Sequence, residues 1–141
     1  MPGHEHVIAV IREWVAKAEN DLKNAAHTLK LGEDCPTDTV GFHAQQCVEK
    51  YLKAYLVLNG IDFSKTHDVG KLVTLVPEDV RLGLTVEEQR RLTSYATVTR
   101  YPGDYEPISL SEAKQAVRIS RRVRRDIRKL LPKEALRRPR R

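Results

Sequence analysis

His43, Gln46, Glu49, Lys50 and Lys53 fall on one side of a single amphipathic stretch, joining an imidazole, an amide, a carboxylate and two ammonium groups. At about 100° per residue, Ala44, Cys47, Val48, Tyr51, Leu52, Tyr55 and Leu58 fall on the other side and can bury against neighbouring helices. Mixed donors and acceptors with both signs of charge suit a polar ligand or a partner surface. The same residues also make an ordinary solvated face.

Two further clusters could do chemistry. Arg100-Tyr101-Pro102-Gly103-Asp104-Tyr105 gathers a fixed cation, two phenols and a carboxylate on a connector stiffened by proline. The arginine offers a two-pronged fork to phosphate, a tyrosine stacks or donates, and the aspartate accepts from hydroxyls. The alternative is a connector in which Tyr101 plugs the core and Arg100 caps a helix end. In the third cluster Arg118, Arg121, Arg122, Arg125 and Arg128, with Lys114 and Lys129, share one helical side. Such a row can follow a phosphate backbone, each contact adding to a salt-dependent affinity. It can equally be a solvated face, or a rim lying on acidic neighbours.

Metal and nucleophile chemistry find less material. His43 and Cys47 stand four apart, but a zinc site needs three or four ligands and no second His/Cys pair accompanies them. No metal and no cofactor is expected. The chain holds no Gly-x-Ser-x-Gly and no phosphate-cradling glycine loop.

The elements that must position these groups are helical. Ile11, Trp14, Val15, Ala18, Leu22, Ala25, Ala26 and Leu29 predict a first helix over roughly 5–30, and a break follows at Gly32 to Thr37. A second helix is predicted over about 38–59, closed by Asn59-Gly60 as a left-handed cap. Asp68 caps a short third helix that Pro77 stops, and Thr85-Val86-Glu87-Glu88 is a capping box opening a fourth. Ser109-Leu110-Ser111-Glu112 opens a fifth, with Ala113, Ala116, Val117, Ser120, Val123, Ile127, Leu130 and Leu131 on its inner side. Pro132 ends it. The expectation is an all-α bundle: one domain over residues 1–131, with residues 132–141 a basic, disordered tail.

Charge is unevenly spread. The chain of 141 residues carries a net +6, but from Arg118 onward twelve basic residues face two acidic ones, which leaves −4 for residues 1–117. A near-neutral body with a basic end points to an acidic partner: RNA, DNA or an acidic protein. No apolar run is long enough to span a membrane, and the first residues lack a secretory pattern, so a cytoplasmic protein with reduced Cys35 and Cys47 is expected.

Phe42-His43-Ala44-Gln45-Gln46-Cys47-Val48-Glu49-Lys50-Tyr51-Leu52-Lys53-Ala54, then Lys65-Thr66-His67-Asp68-Val69 and Arg100-Tyr101-Pro102, resemble the HEPN domain family of small bacterial and archaeal helical proteins. Ala18-Glu19-Asn20-Asp21-Leu22 fits the family's usual opening, and the resemblance runs over most of residues 8–131. It implies an up-and-down bundle of four to five helices that dimerises and has a link to nucleotides or RNA. Many such proteins are metal-independent ribonucleases of toxin–antitoxin and defence systems. Many are encoded beside a minimal nucleotidyltransferase that acts as antitoxin.

In the nuclease members an arginine and a histidine four to six residues later meet their copies across the dimer, for acid–base work and phosphate stabilisation. Here Tyr105 stands where the histidine would fall after Arg100, and no histidine follows His67. A phenol with a pKa of about 10 is a poor base at neutral pH. The expectation is therefore a homodimeric nucleotide- or RNA-binding module, paired with a nucleotidyltransferase-domain protein. Its contacts would be His43, Gln46, Lys50, Lys53, Arg100 and Tyr105. The alternatives are a ribonuclease toxin built on Arg100, Asp104 and Tyr105, and an adaptor docking an acidic protein.

Overall fold

The structure is a computed structural model and describes residues 3–96 and 107–137. Among these residues the regular elements are all helical: α1 (His4–Leu29), α2 (Thr37–Leu58), α3 (Val69–Thr74), α4 (Val86–Ser94) and α5 (Leu110–Arg128), with 3-10 turns at Gly32–Asp34 and Lys133–Leu136. The result is an up-and-down bundle in which α2 is the central rod. α1 runs along one side of it, α5 along another, and the short α3 and α4 pair with each other beside it.

The helix ends follow from capping chemistry. Gly60 takes φ +65° after α2, which lets its N–H reach Val57 O and the Ile61 N–H reach Leu56 O at 2.9 Å. Two otherwise orphaned carbonyls are satisfied in this way. Asp68 accepts from the Lys71 N–H, and Ser109 accepts from the Glu112 N–H. Thr85 and Glu88 form the reciprocal capping box at the start of α4. Each device was legible in the sequence.

The main core joins α1 (Ile11, Val15, Ala18) to α2 (Val48, Tyr51, Leu52, Leu56) and α5 (Ile119, Val123, Ile127), with Leu72 and Leu92 from the short helices. A satellite cluster of Ala25, Cys35, Val40, Ala113 and Val117 closes one end. Gly41 admits the neighbouring chain here: a Cβ on it would stand 3.0 Å from Ile108 Cδ1 and 3.2 Å from Tyr95 Cγ. Both Tyr95, just past α4, and Ile108, just before α5, therefore rest on the same turn of α2.

One boundary differs from the sequence reading. The packed body does not stop at residue 131, because Lys133–Leu136 folds back on α1. Ala135 is fully buried, and Arg12 Nη2 donates to the Glu134 carbonyl at 2.7 Å. An apolar alanine and a carbonyl facing an α1 arginine hold the turn that composition alone assigned to a tail. Residues 138–141 lie outside the described part, as do Arg100, Asp104 and Tyr105. No helix among the described residues is long and apolar enough to cross a membrane.

Candidate functional site

The polar side of α2 is not a solvated face. Gln45, Gln46, Glu49 and Lys53 are all buried, and His43 and Lys50 are partly so. The sequence could not show the groups that cover them, which come from α1 and from the connector after α2.

Two carboxylate-centred triads result. Asp21 of α1, itself buried, takes His43 Nδ1 on Oδ1 at 2.8 Å and Lys50 Nζ on Oδ2 at 2.5 Å. Glu49 takes His67 Nδ1 on Oε1 at 2.6 Å, with Lys53 Nζ 3.4 Å from Oε2. Lys53 lies over the rings of Trp14 and Phe63, 5.4 and 5.7 Å from their centroids. A charge so far from water is held by its carboxylate and by the negative ring faces. Gln45 Nε2 donates to the His67 carbonyl at 3.0 Å, and Gln46 Nε2 donates to Gln45 Oε1 at 2.7 Å.

The expected ligand contacts on α2 take part in the fold's own polar network. Gln46 and Lys53 are consumed inside the fold, and His43 and Lys50 are tied to Asp21. Of the two histidines, His67 alone leaves most of its ring in solvent (68% exposed). Cys47 is fully buried and burial pushes its thiol up. Asp21, the organiser of the first triad, was named in the sequence only within the opening Ala18-Glu19-Asn20-Asp21-Leu22 and not as an expected contact. Its signal was an acid sitting in the apolar spacing Ala18-Asp21-Leu22-Ala25.

The arginines of α5 divide into two groups. Arg122 forks onto both oxygens of Glu88 at 3.1 and 3.2 Å and also donates to the Gly83 carbonyl. Arg128 donates to the Tyr51 hydroxyl at 3.3 Å and stands 3.5 Å from Glu19. These two, expected in the phosphate-facing row, belong to the fold. So does Arg124, paired with Glu19.

What remains is a stripe. Lys114, Arg118, Arg121, Arg125 and Lys129 are exposed and follow one another at intervals of four, three, four and four. At about 100° per residue they lie within an arc of about 80°. At 1.5 Å rise they cover about 22 Å of helix. Arg125 has a loose contact with Asp126, 3.8 Å away. The bundle's structural arginines face inward, and the stripe faces out.

A separate cleft of about 250 Å³ opens between α3 and α4, lined by Asp68, Gly70, Val86, Gln89, Arg90 and Thr93. Thr93 Oγ1 accepts the Val69 N–H at 3.1 Å and so fixes the spacing of the two helices. Arg90 and Val86 are exposed at its edge, Val86 by 67%.

Residues 11–130 match the HEPN domain family. Over 100 residues the chain is 33% identical to a Methanocaldococcus jannaschii protein named "Putative toxin MJ1304", covering 65% of this chain and 63% of that relative's length. The crystal structure of TT1696 from Thermus thermophilus superimposes with a TM-score of 0.72 at 27% identity, covering 86% of this chain and 98% of that one. The structure of ST0689, an archaeal HEPN homologue, shares the fold with a TM-score of 0.67 at 23% identity, covering 85% and 96%.

Proposed function

The chain belongs to the HEPN domain family, and from that premise we propose that it is a homodimeric module that binds RNA or nucleotides through the outer face of α5. It would act in a toxin–antitoxin-type pair with a nucleotidyltransferase-domain protein. The observation that carries the reading is the stripe Lys114, Arg118, Arg121, Arg125 and Lys129. Five cations in line, left over after the fold has used Arg122, Arg124 and Arg128, attract a polyanion along their whole length. The name of the M. jannaschii relative supports the toxin–antitoxin setting.

Fluorescence anisotropy of a labelled single-stranded RNA against salt tests the proposal. If each of the five cations meets one phosphate, log affinity falls with log salt with a slope of about −3.5. The triple variant Arg118→Glu/Arg121→Glu/Arg125→Glu should lose binding while staying folded. Absence of wild-type binding at low salt, or a triple variant that binds as well as wild type, would defeat the reading. Size-exclusion chromatography with light scattering tests the homodimer separately.

The ribonuclease alternative rests on Arg100, Asp104 and Tyr105, which lie outside the described residues, and draws support only from the relative's name. It predicts growth arrest on expression, relieved by Arg100→Ala. Harmless accumulation of folded protein would count against it.

A further inference from the structure

The cations of the α5 stripe sit on a helix that is pinned along both flanks. On one flank Arg91 Nη1 of α4 donates to Gln115 Oε1 at 3.1 Å, and Arg122 forks onto Glu88. Asp126 Oδ2 accepts the Gly83 N–H on the same flank at 3.0 Å. On the other flank Arg124 and Arg128 meet Glu19 of α1. Ala116, Ile119, Val123 and Ile127 are buried behind them, so α5 offers a ligand its outward arc alone.

This placement closes two routes to the bases of a nucleic acid. A recognition helix enters a major groove about 12 Å wide with its whole girth of about 10–12 Å. With α1 on one flank and α4 on the other, α5 can lie on a backbone but cannot enter such a groove. Single strands are held by stacking bases on aromatic rings, worth about 1–3 kcal/mol per base. α5 contains no aromatic residue, and its exposed side chains other than the cations are Ser111 and Gln115. What is left to the stripe is phosphate.

Charge density then decides which form of nucleic acid gains most. A duplex presents one charge per roughly 1.7 Å of axis, against roughly 3.4 Å for either strand counted alone. Along the stripe's length of about 22 Å, one strand of a duplex offers about six phosphates to the five cations. The minor groove of an RNA duplex is wide and shallow, a surface on which a helix held in a bundle can rest. We propose that the stripe selects double-stranded RNA and reads its phosphate backbone, indifferent to base sequence. The proposal rests on the reading of α5 as the RNA-binding face, and names the form of RNA that face takes.

Competition anisotropy of the full chain tests it with a duplex RNA, its two separated strands, and a second duplex of scrambled sequence. With five contacts the slope of log affinity against log salt should be about −4.5 for a duplex and about −3.5 for a single strand. Lines that meet near about 1 M salt stand one decade apart at about 0.1 M, where the duplex should bind about tenfold tighter. The scrambled duplex should match the first within about twofold, since phosphate contacts carry no sequence. Arg121→Gln should lower the duplex slope by about 0.9 on both sequences alike, the effect of one lost phosphate contact.

Single strands that bind as tightly as the duplex would overturn the proposal, as would a difference of about tenfold or more between the two duplex sequences. In either case, loss of binding by Arg118→Glu/Arg121→Glu/Arg125→Glu would leave the stripe reading intact. No binding of either form at low salt would remove both.

Discussion

Glu19 of α1 receives Arg124 of α5 through both carboxylate oxygens, with Nε 3.0 and 2.9 Å from Oε1 and Oε2 and Nη2 2.9 Å from Oε1. The contact joins the first long helix to the last across 105 positions of sequence. Arg128 and the Tyr51 hydroxyl complete a ring around the same carboxylate, so one side chain from α1 organises groups on α2 and α5. Arg124→Ala should cost about 1–2 kcal/mol, a charge-assisted pair discounted for its part exposure. Arg124→Lys should recover only part of this, because an ammonium cannot present the two-pronged fork. Urea unfolding with an unchanged m-value is the measurement.

The same carboxylate gives the protein an acid limit. Burial raises the Glu19 pKa, but hydrogen bonds from Arg124 and Tyr51 with the charges of Arg124 and Arg128 outweigh it and hold the group below its ordinary 4.5. Glu88 is likewise lowered: burial opposes, and Arg122 with the Thr85 amide and hydroxyl prevails. Both contributions are fully present above pH 4.5, the unfolded value, and are lost as pH falls through the depressed folded values. Melting temperature should therefore fall below that pH, and Glu19→Gln should start lower and fall less steeply.

Glu49 and Lys53 should show strong coupling. Their side chains are 3% and 8% exposed, so removing one partner strands a charge in the interior. Glu49→Gln should destabilise by roughly 3–5 kcal/mol. Adding Lys53→Met should recover much of that loss, since the stranded cation is then gone. A double-mutant cycle by denaturant titration reads the coupling, and additive losses would contradict it.

The arginines of α5 should separate by role. Arg118→Ala and Arg121→Ala alter exposed groups and should move stability by no more than about 0.5 kcal/mol while weakening RNA binding. Arg122→Ala should instead cost about 1–3 kcal/mol, because Glu88 and the Gly83 carbonyl both lose a charged donor. Parallel melting and anisotropy measurements on the same samples distinguish the two classes.

The fold was legible because its signals are local. Thr85 with Glu88, Asp68, and Asn59-Gly60 announce helix ends within a few residues, and the apolar spacing of α1 and α5 gives their inner faces. The candidate site was less legible because its partners are distant in sequence. Asp21 lies 22 residues from His43 and 29 from Lys50, and no periodicity within α2 reports them. An arc of charge on one helix looks the same whether water or another helix covers it. The stripe on α5 shows the converse: Arg118 and Arg122 read alike in sequence, and only the position of Glu88 tells them apart.

Cys35 and Cys47 are both reduced and buried, one in the satellite cluster at the end of the bundle and one at the centre of the main core. A thiol reagent reaches either sulfur only when the chain around it opens. The protein thus carries two internal clocks set at different depths. Labelling of Cys35 times the fraying of the bundle's end, and labelling of Cys47, whose thiol burial also keeps protonated, times the parting of α1 from α2.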